Sequence, residues 1–220
     1  MHNLYRLCNE ERRIVVSKKF KWQWGSFFAG LIVMSLGVTM TIKGNIVGTS
    51  PWDVLHIGLF KQFGLTIGTW SILMGLFIIC VTSIYLKRWP KLATWLNMLL
   101  IGTFIDIFNW LLPNATIFFW EIAYFIAGFF VMSIGCGLYI AASLGAGPRD
   151  TVMMIIASKG YSVKTGRMVM EVVAGITGWI LGGPVGLGTI LLALGTGYVI
   201  QPSLFYFKGK LEQIIGEPLT

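Results

Sequence analysis

The residue types and spacings that could do chemistry are few in this chain. The first group is Ser50-Pro51-Trp52-Asp53, with His56 one turn later. Ser50 fits a helix N-cap and Pro51 the first helical position. Asp53 fits the third, from which a carboxylate reaches back to the cap. The pattern returns at Pro148 and Asp150, with Gly147 in the cap position. Gly48 and Gly145 precede the two turns, where a residue without a Cβ lets the backbone reverse sharply.

Two readings of the turns stand side by side. In one, Pro and Asp only start and cap a short helix, which accounts for every residue in the motif. In the other, the paired turns line a shared cavity. There Asp53 and Asp150 meet a cation, a proton or a polar ligand beside the positive pole of a helix start. His56 lies on the same helix as Asp53 and within reach of a shared hydrogen bond, although a lone histidine is more often simply packed.

Asp106 is the other ionisable residue deep in an apolar run, and Asn109 shares its helix face. A carboxylate there is costly against lipid and should face the bundle or a wet cavity, or else reach the headgroups. Arg167 and Glu171 stand four apart and read as a self-neutralising pair at an interface. Lys43 reads as a side chain that snorkels to outer headgroups.

No hydrolase, Walker or dinucleotide fingerprint is present, and the two histidines are far apart. Cys8, Cys80 and Cys136 form no CxxC and no cluster with histidine, so they read as free thiols. The expectation is a protein that is not an enzyme, with no metal and no cofactor.

The elements that must position these groups follow from composition. Of 220 residues, 55% are hydrophobic and only 12% charged, and the mean hydropathy is +0.75. A soluble domain of this size needs more charge to cover its surface, so the bilayer is the expected partner. Nine Trp, fifteen Phe and 27 Gly suit interfacial anchoring and close helix packing. The formal charge of +8 comes from short basic clusters between apolar runs, which are topology signals and not a nucleic-acid surface.

Six apolar runs approach the ~20 residues that a helix needs to cross ~30 Å of hydrocarbon. They lie at about 23–42, 67–86, 93–112, 118–141, 167–183 and 187–207. Stretches 51–63 and 148–159 would reach only about 20 Å as helices, too short to span. If they do not cross, all but Lys43 and Lys61 of the 17 Lys and Arg fall on one side. The positive-inside rule then places both termini in the cytoplasm, with the first run as an uncleaved signal anchor. The divisions are a basic segment 1–21, a membrane domain 22–208 and a cytoplasmic tail 209–220.

The two halves resemble each other. Gly30-Leu-Ile-Val-Met-Ser-Leu-Gly37 matches Gly128-Phe-Phe-Val-Met-Ser-Ile-Gly135, and Gly48-Thr-Ser-Pro-Trp-Asp-Val54 matches Gly145-Ala-Gly-Pro-Arg-Asp-Thr151. Gly64-Leu-Thr-Ile-Gly-Thr69 then matches Gly160-Tyr-Ser-Val-Lys-Thr165, and Gly102-Thr103 pairs more weakly with Gly195-Thr196. Asp106 falls opposite Val199, so that position is not duplicated. Each copy, at about 22–112 and 118–207, holds three crossings and one short non-spanning helix. Three is odd, so the second copy must sit upside down, as in many secondary transporters. The expected fold is therefore an all-α polytopic membrane protein of two inverted three-span repeats.

At the Gly-x-x-Pro-x-Asp turn, with Gly64-Leu-Thr-Ile-Gly-Thr69 after it, the chain resembles the YczE/YyaS/YitT family of bacterial inner-membrane proteins. The resemblance covers roughly 23–207, implies a bacterial cytoplasmic-membrane location and brings no catalytic residues. The function expected first is a transporter or permease-like protein for a small solute. The alternative is a non-transporting membrane protein that anchors or regulates an enzyme or transport partner.

Overall fold

The computed structural model describes the backbone of residues 2–145, 147–161 and 163–219, without the side chains of 2–17, 150, 153, 154, 157, 163 and 164. Eight α-helices account for nearly all of the described residues: α1 His2–Lys43, α2 Pro51–Phe63, α3 Ile67–Leu86, α4 Leu92–Leu111, α5 Phe118–Ala141, α6 Pro148–Ser158, α7 Val163–Ile180 and α8 Leu187–Ile215. A short 3-10 turn, Asn45–Val47, joins α1 to the segment before α2.

Five of the helices are long and apolar enough to cross a membrane: Lys18–Lys43 within α1, then α3, α4, α5 and α8. Large apolar side chains such as Phe77, Ile84, Leu187 and Leu194 are exposed on their outer faces, as a lipid-facing surface requires. The expected crossing at 167–183 falls on α7, which has 18 residues. Its first half carries Lys164, Arg167 and Glu171, so composition sets it apart from the other five. The basic N-terminal segment continues α1 instead of standing apart, and the tail extends α8 through Ile215. Lys19 on α1 lies 3.8 Å from Glu217 beyond α8, so these two ends meet on one side of the molecule.

Local signals set the helix boundaries. Thr66 caps α3 by accepting from the Thr69 N–H at 3.0 Å. Lys87, with φ 51°, ends α3 in the left-handed conformation, and Pro90 follows. Gly182, with φ 87°, ends the α7 segment. The last carbonyls of that segment are met from α2, where Lys61 Nζ donates to Gly182 O at 2.8 Å and Gln62 Nε2 to Leu181 O at 3.1 Å.

The centre of the bundle is the antiparallel pair α1/α5, closed through glycines. A Cβ on Gly37 would collide with Met132, and one on Gly135 with Met34. One on Gly30 would collide with Tyr139, and one on Gly128 with Gly37 O and Thr41. The contacts are reciprocal: each residue meets the sequence counterpart of the residue that meets its own counterpart. Ser35, Thr39, Thr41 and Ser133 are fully buried in these two helices. Three of their hydroxyls donate back to their own helix at 2.7–2.9 Å, from Ser133 to Phe129 O, Thr39 to Ser35 O and Thr41 to Val38 O. None of these three hydroxyls is therefore left as an unmet donor.

Of the short helices, α2 packs mainly on α7, and α6 packs on both α3 and α7. Gly178 lets the backbone of α2 approach at Val54 and Leu55. The first half of α2 is buried from Pro51 through Gly58 except at Trp52. A backbone that does not span is thus covered by protein, the condition under which a bilayer tolerates it.

Candidate functional site

The starts of α2 and α6 meet inside the bundle. Trp52 and Arg149 each follow the proline that opens a short helix, and they touch: the guanidinium carbon of Arg149 lies 4.3 Å from the Trp52 ring centroid. Around them lies a cavity of about 190 Å³. Every helix contributes to its wall; Met34, Asp53, Ser71, Asn97, Tyr139, Arg149, Glu171 and Ile200 come from α1 through α8 in order.

Asp53 is both cap and wall. The Asp53 N–H donates to Ser50 Oγ at 3.4 Å, the expected N-cap, while the Asp53 carboxylate reaches back to the Ser50 hydroxyl, which donates to Oδ2 at 2.5 Å. The residue is only 3% exposed. Pro51 opens α2 as the sequence pattern requires. Gly48 has φ 96°, and a Cβ there would lie 2.5 Å from both Gly186 N and Thr189 Oγ1, so this turn needs glycine twice over. Gly145, at φ 158°, is nearly extended and makes no comparable close approach. Pro148 opens α6. The side chain of Asp150 lies outside the described residues.

His56 is fully buried with its Nδ1 3.8 Å from Asp53 Oδ1, too far for a hydrogen bond. Neither ring nitrogen has a hydrogen-bond partner, and the ring does not reach the cavity wall. Asp106 is placed elsewhere. Its Oδ1 accepts from the Gly68 N–H at 2.8 Å, and its Oδ2 accepts from Thr66 Oγ1. It thus holds the start of α3 from α4, the job an N-terminal carboxylate does well. Lys43 Nζ donates to Asn114 Oδ1 at 2.5 Å, tying the end of α1 to the loop after α4.

The charged pair on α7 does reach the cavity. Arg167 Nε donates to Glu171 Oε1 at 2.9 Å, and Arg167 Nη2 to Thr196 Oγ1 on α8 at 3.4 Å. By the matched segments, Arg167 and Glu171 stand opposite Ser71 and Gly75 of α3, which line the same cavity. The polar wall is thus unequal between the halves. Asn97 is 4% exposed, and its amide nitrogen has no partner. Among the described residues no three His, Cys, Asp or Glu side chains group as metal ligands would.

Of the four candidate residues whose side chains are described, the cavity therefore takes Asp53 into its wall, leaves Ser50 and His56 behind it and stands apart from Asp106. Sequence reasoning missed Trp52, Arg149, Asn97, Arg167 and Glu171 as wall residues. The signal for the first two was present: each follows the proline of a Gly-x-x-Pro-x-Asp turn.

The family model described as "Family of unknown function (DUF6198)" matches residues 21–203. The chain is 46% identical over 183 residues to "Uncharacterized membrane protein YczE" of Bacillus subtilis, covering 83% of this chain and 85% of that one. It is 33% identical over 172 residues to an "Uncharacterized protein" of Haemophilus influenzae, covering 78% of each. It is 28% identical over 177 residues to "Uncharacterized protein YyaS" of Bacillus subtilis, covering 78% of this chain and 87% of that one. No solved structure matches significantly.

Proposed function

The chain belongs to the DUF6198 family and is a multi-pass membrane protein, and from that premise we propose that it is a permease-like carrier of a small solute. One observation carries the reading: a partly open cavity to whose wall all eight helices contribute, holding Asp53, Arg149, Arg167 and Glu171 among apolar side chains, where two non-spanning helices begin. A scaffold gains nothing from a charged void in its centre, since each polar group there costs desolvation free energy. A carrier needs a site near the bilayer midplane, reached by short helices whose N–H poles point at it.

The proposal includes α7 as a sixth crossing, with both termini cytoplasmic and the two halves as inverted repeats. The reciprocal glycine contacts of α1 and α5 support that symmetry, as does the touching of Trp52 and Arg149. The Arg167–Glu171 pair supports a crossing by α7, because paired charges facing a cavity are the form in which a bilayer accepts them.

The test is a thermal-shift screen of small polar solutes on purified protein, run beside Arg167→Gln. The expected result is a solute that raises the melting temperature of the parent protein but not of the variant. Binding at 100 times Kd stabilises by about 2.7 kcal/mol, well within detection. A broad screen with no such solute would return the cavity to pure architecture and favour the anchoring role.

A further inference from the structure

We propose that Asp53 and His56 form a proton-binding site just behind the central cavity, the coupling site of a proton-driven carrier; this rests on the permease reading above. The site is built from polar atoms that face each other unmatched. His56 is fully buried, and neither ring nitrogen has a hydrogen-bond partner. Its Nδ1 lies 3.8 Å from Asp53 Oδ1. The other carboxylate oxygen, Oδ2, is taken by the Ser50 hydroxyl, while no hydrogen bond reaches Oδ1 among the described residues. Buried polar groups normally find partners, and a ring with two bare nitrogens beside a half-used carboxylate is short of one proton.

That proton completes the pair. Neutral His56 takes it up and becomes an imidazolium with an N–H on both nitrogens. A side-chain rotation of about 1 Å then closes the gap to the ~2.8 Å of a charge-assisted bond from Nδ1 to Oδ1. No other bond forms or breaks, and the pair loses its net negative charge. Asp53 belongs to the cavity wall and His56 does not. The proton therefore arrives by way of the cavity, and its arrival draws the carboxylate from the wall toward the ring. Solute and proton thus act on one carboxylate, so the affinity for each depends on the other.

The surrounding charges set when the site loads. On α2 itself, Lys61 is tied to Gly182 O. On α6, Arg149 stands over Trp52. On α7, which packs against α2, Arg167 and Glu171 are bonded to each other. On α3, which also packs against α2, only Cys80 and Tyr85 titrate. Burial pushes the proton affinity of His56 below its ordinary value, Asp53 works the other way, and Arg149 adds to the lowering. The ring is therefore empty at neutral pH and loads in mild acid.

The chain has two histidines, so His2→Gln leaves one imidazole to follow by nitrogen NMR of histidine-labelled protein in nanodiscs. The ring should take one proton between about pH 4.5 and 6.5 while circular dichroism shows the protein folded. Asp53→Asn, which keeps an acceptor for Ser50, should lower the midpoint by at least about one pH unit, a tenfold loss of proton affinity. Glu171→Gln removes the same charge from the cavity but not from the pair, and should lower it by less than half as much. A ring that stays neutral down to about pH 4.5 in folded protein, or equal shifts in the two variants, would mean a packed histidine and overturn the proposal. The solute screen, restricted to solutes that do not titrate and run at about pH 5.5 and 7.5, separates this site from the carrier reading. A thermal shift that differs between the two pH values in the parent but not in Asp53→Asn supports coupling. A solute that binds alike at both leaves the carrier standing and overturns the coupling; a ring that titrates as expected with no solute at either pH overturns the carrier, and the coupling with it.

Discussion

Asp106 accepts from two donors at the start of α3, and its removal would leave the Gly68 N–H without a partner inside the bundle. Stranding such a donor costs about 1–3 kcal/mol. Asp106→Ala should therefore lower the melting temperature, while Asp106→Asn, which keeps one acceptor oxygen, should lower it less. Because Asp106 lies away from the cavity, the reaction of Cys136 on the cavity wall with a small thiol reagent should stay unchanged. A change in Cys136 reactivity at unchanged stability would tie Asp106 to the site instead. The carboxylate at Asp53 differs in kind. It is held by Ser50 within its own helix, so its cap is local, and the cavity is what gives its position meaning.

Among elements, the informative contrast is between the two helix pairs α3/α4 and α7/α8. A Cβ on Gly102 would lie 2.5 Å from both Gly68 O and Ile72 Cγ1, backbone and branched side chain that cannot easily give way. Overpacking of that kind costs about 1–3 kcal/mol, so Gly102→Ala should destabilise the protein. Gly197→Ala on α8 meets open space and removes a glycine from a helix interior, a gain of up to about 1 kcal/mol. Thermal unfolding in detergent should move in opposite directions for the two variants. Equal destabilisation by both would mean that α7 and α8 close on each other as α3 and α4 do.

For the whole molecule, the proposed topology places the loop between α4 and α5 outside and both ends inside. The contact between Lys19 and Glu217 puts the end segments on one side, and Lys43 reaches Asn114 on the other. In a background with the native cysteines replaced by serine, Ala115→Cys should react with an impermeant maleimide added to intact cells. Labelling that appears only after the cytoplasmic side is opened would reverse the orientation or change the number of crossings.

The amino-acid sequence by itself determined the class, the elements and the caps. Apolar runs of bilayer length cannot be anything but helices in lipid, since every backbone group must be satisfied within its own segment. The bounds of α3 and α5 coincide with the runs at 67–86 and 118–141, and Ser50 and Pro51 start α2 where their side chains demand. These are local properties, carried by residues a few positions apart. The cavity is not local. Arg167 and Glu171 read as a self-sufficient interfacial pair because nothing in α7 says that Trp52 and Arg149 will lie across from them. Asp106 read as a site residue because a carboxylate in an apolar run looks functional until its partners, Thr66 and Gly68, are seen to come from another helix. Which face of a uniformly apolar helix turns inward is weakly specified by hydropathy, since lipid and protein core are equally apolar. Only the close approach of glycines across α1/α5 and α3/α4, and its absence between α7 and α8, decided where the bundle closes and where it stays open.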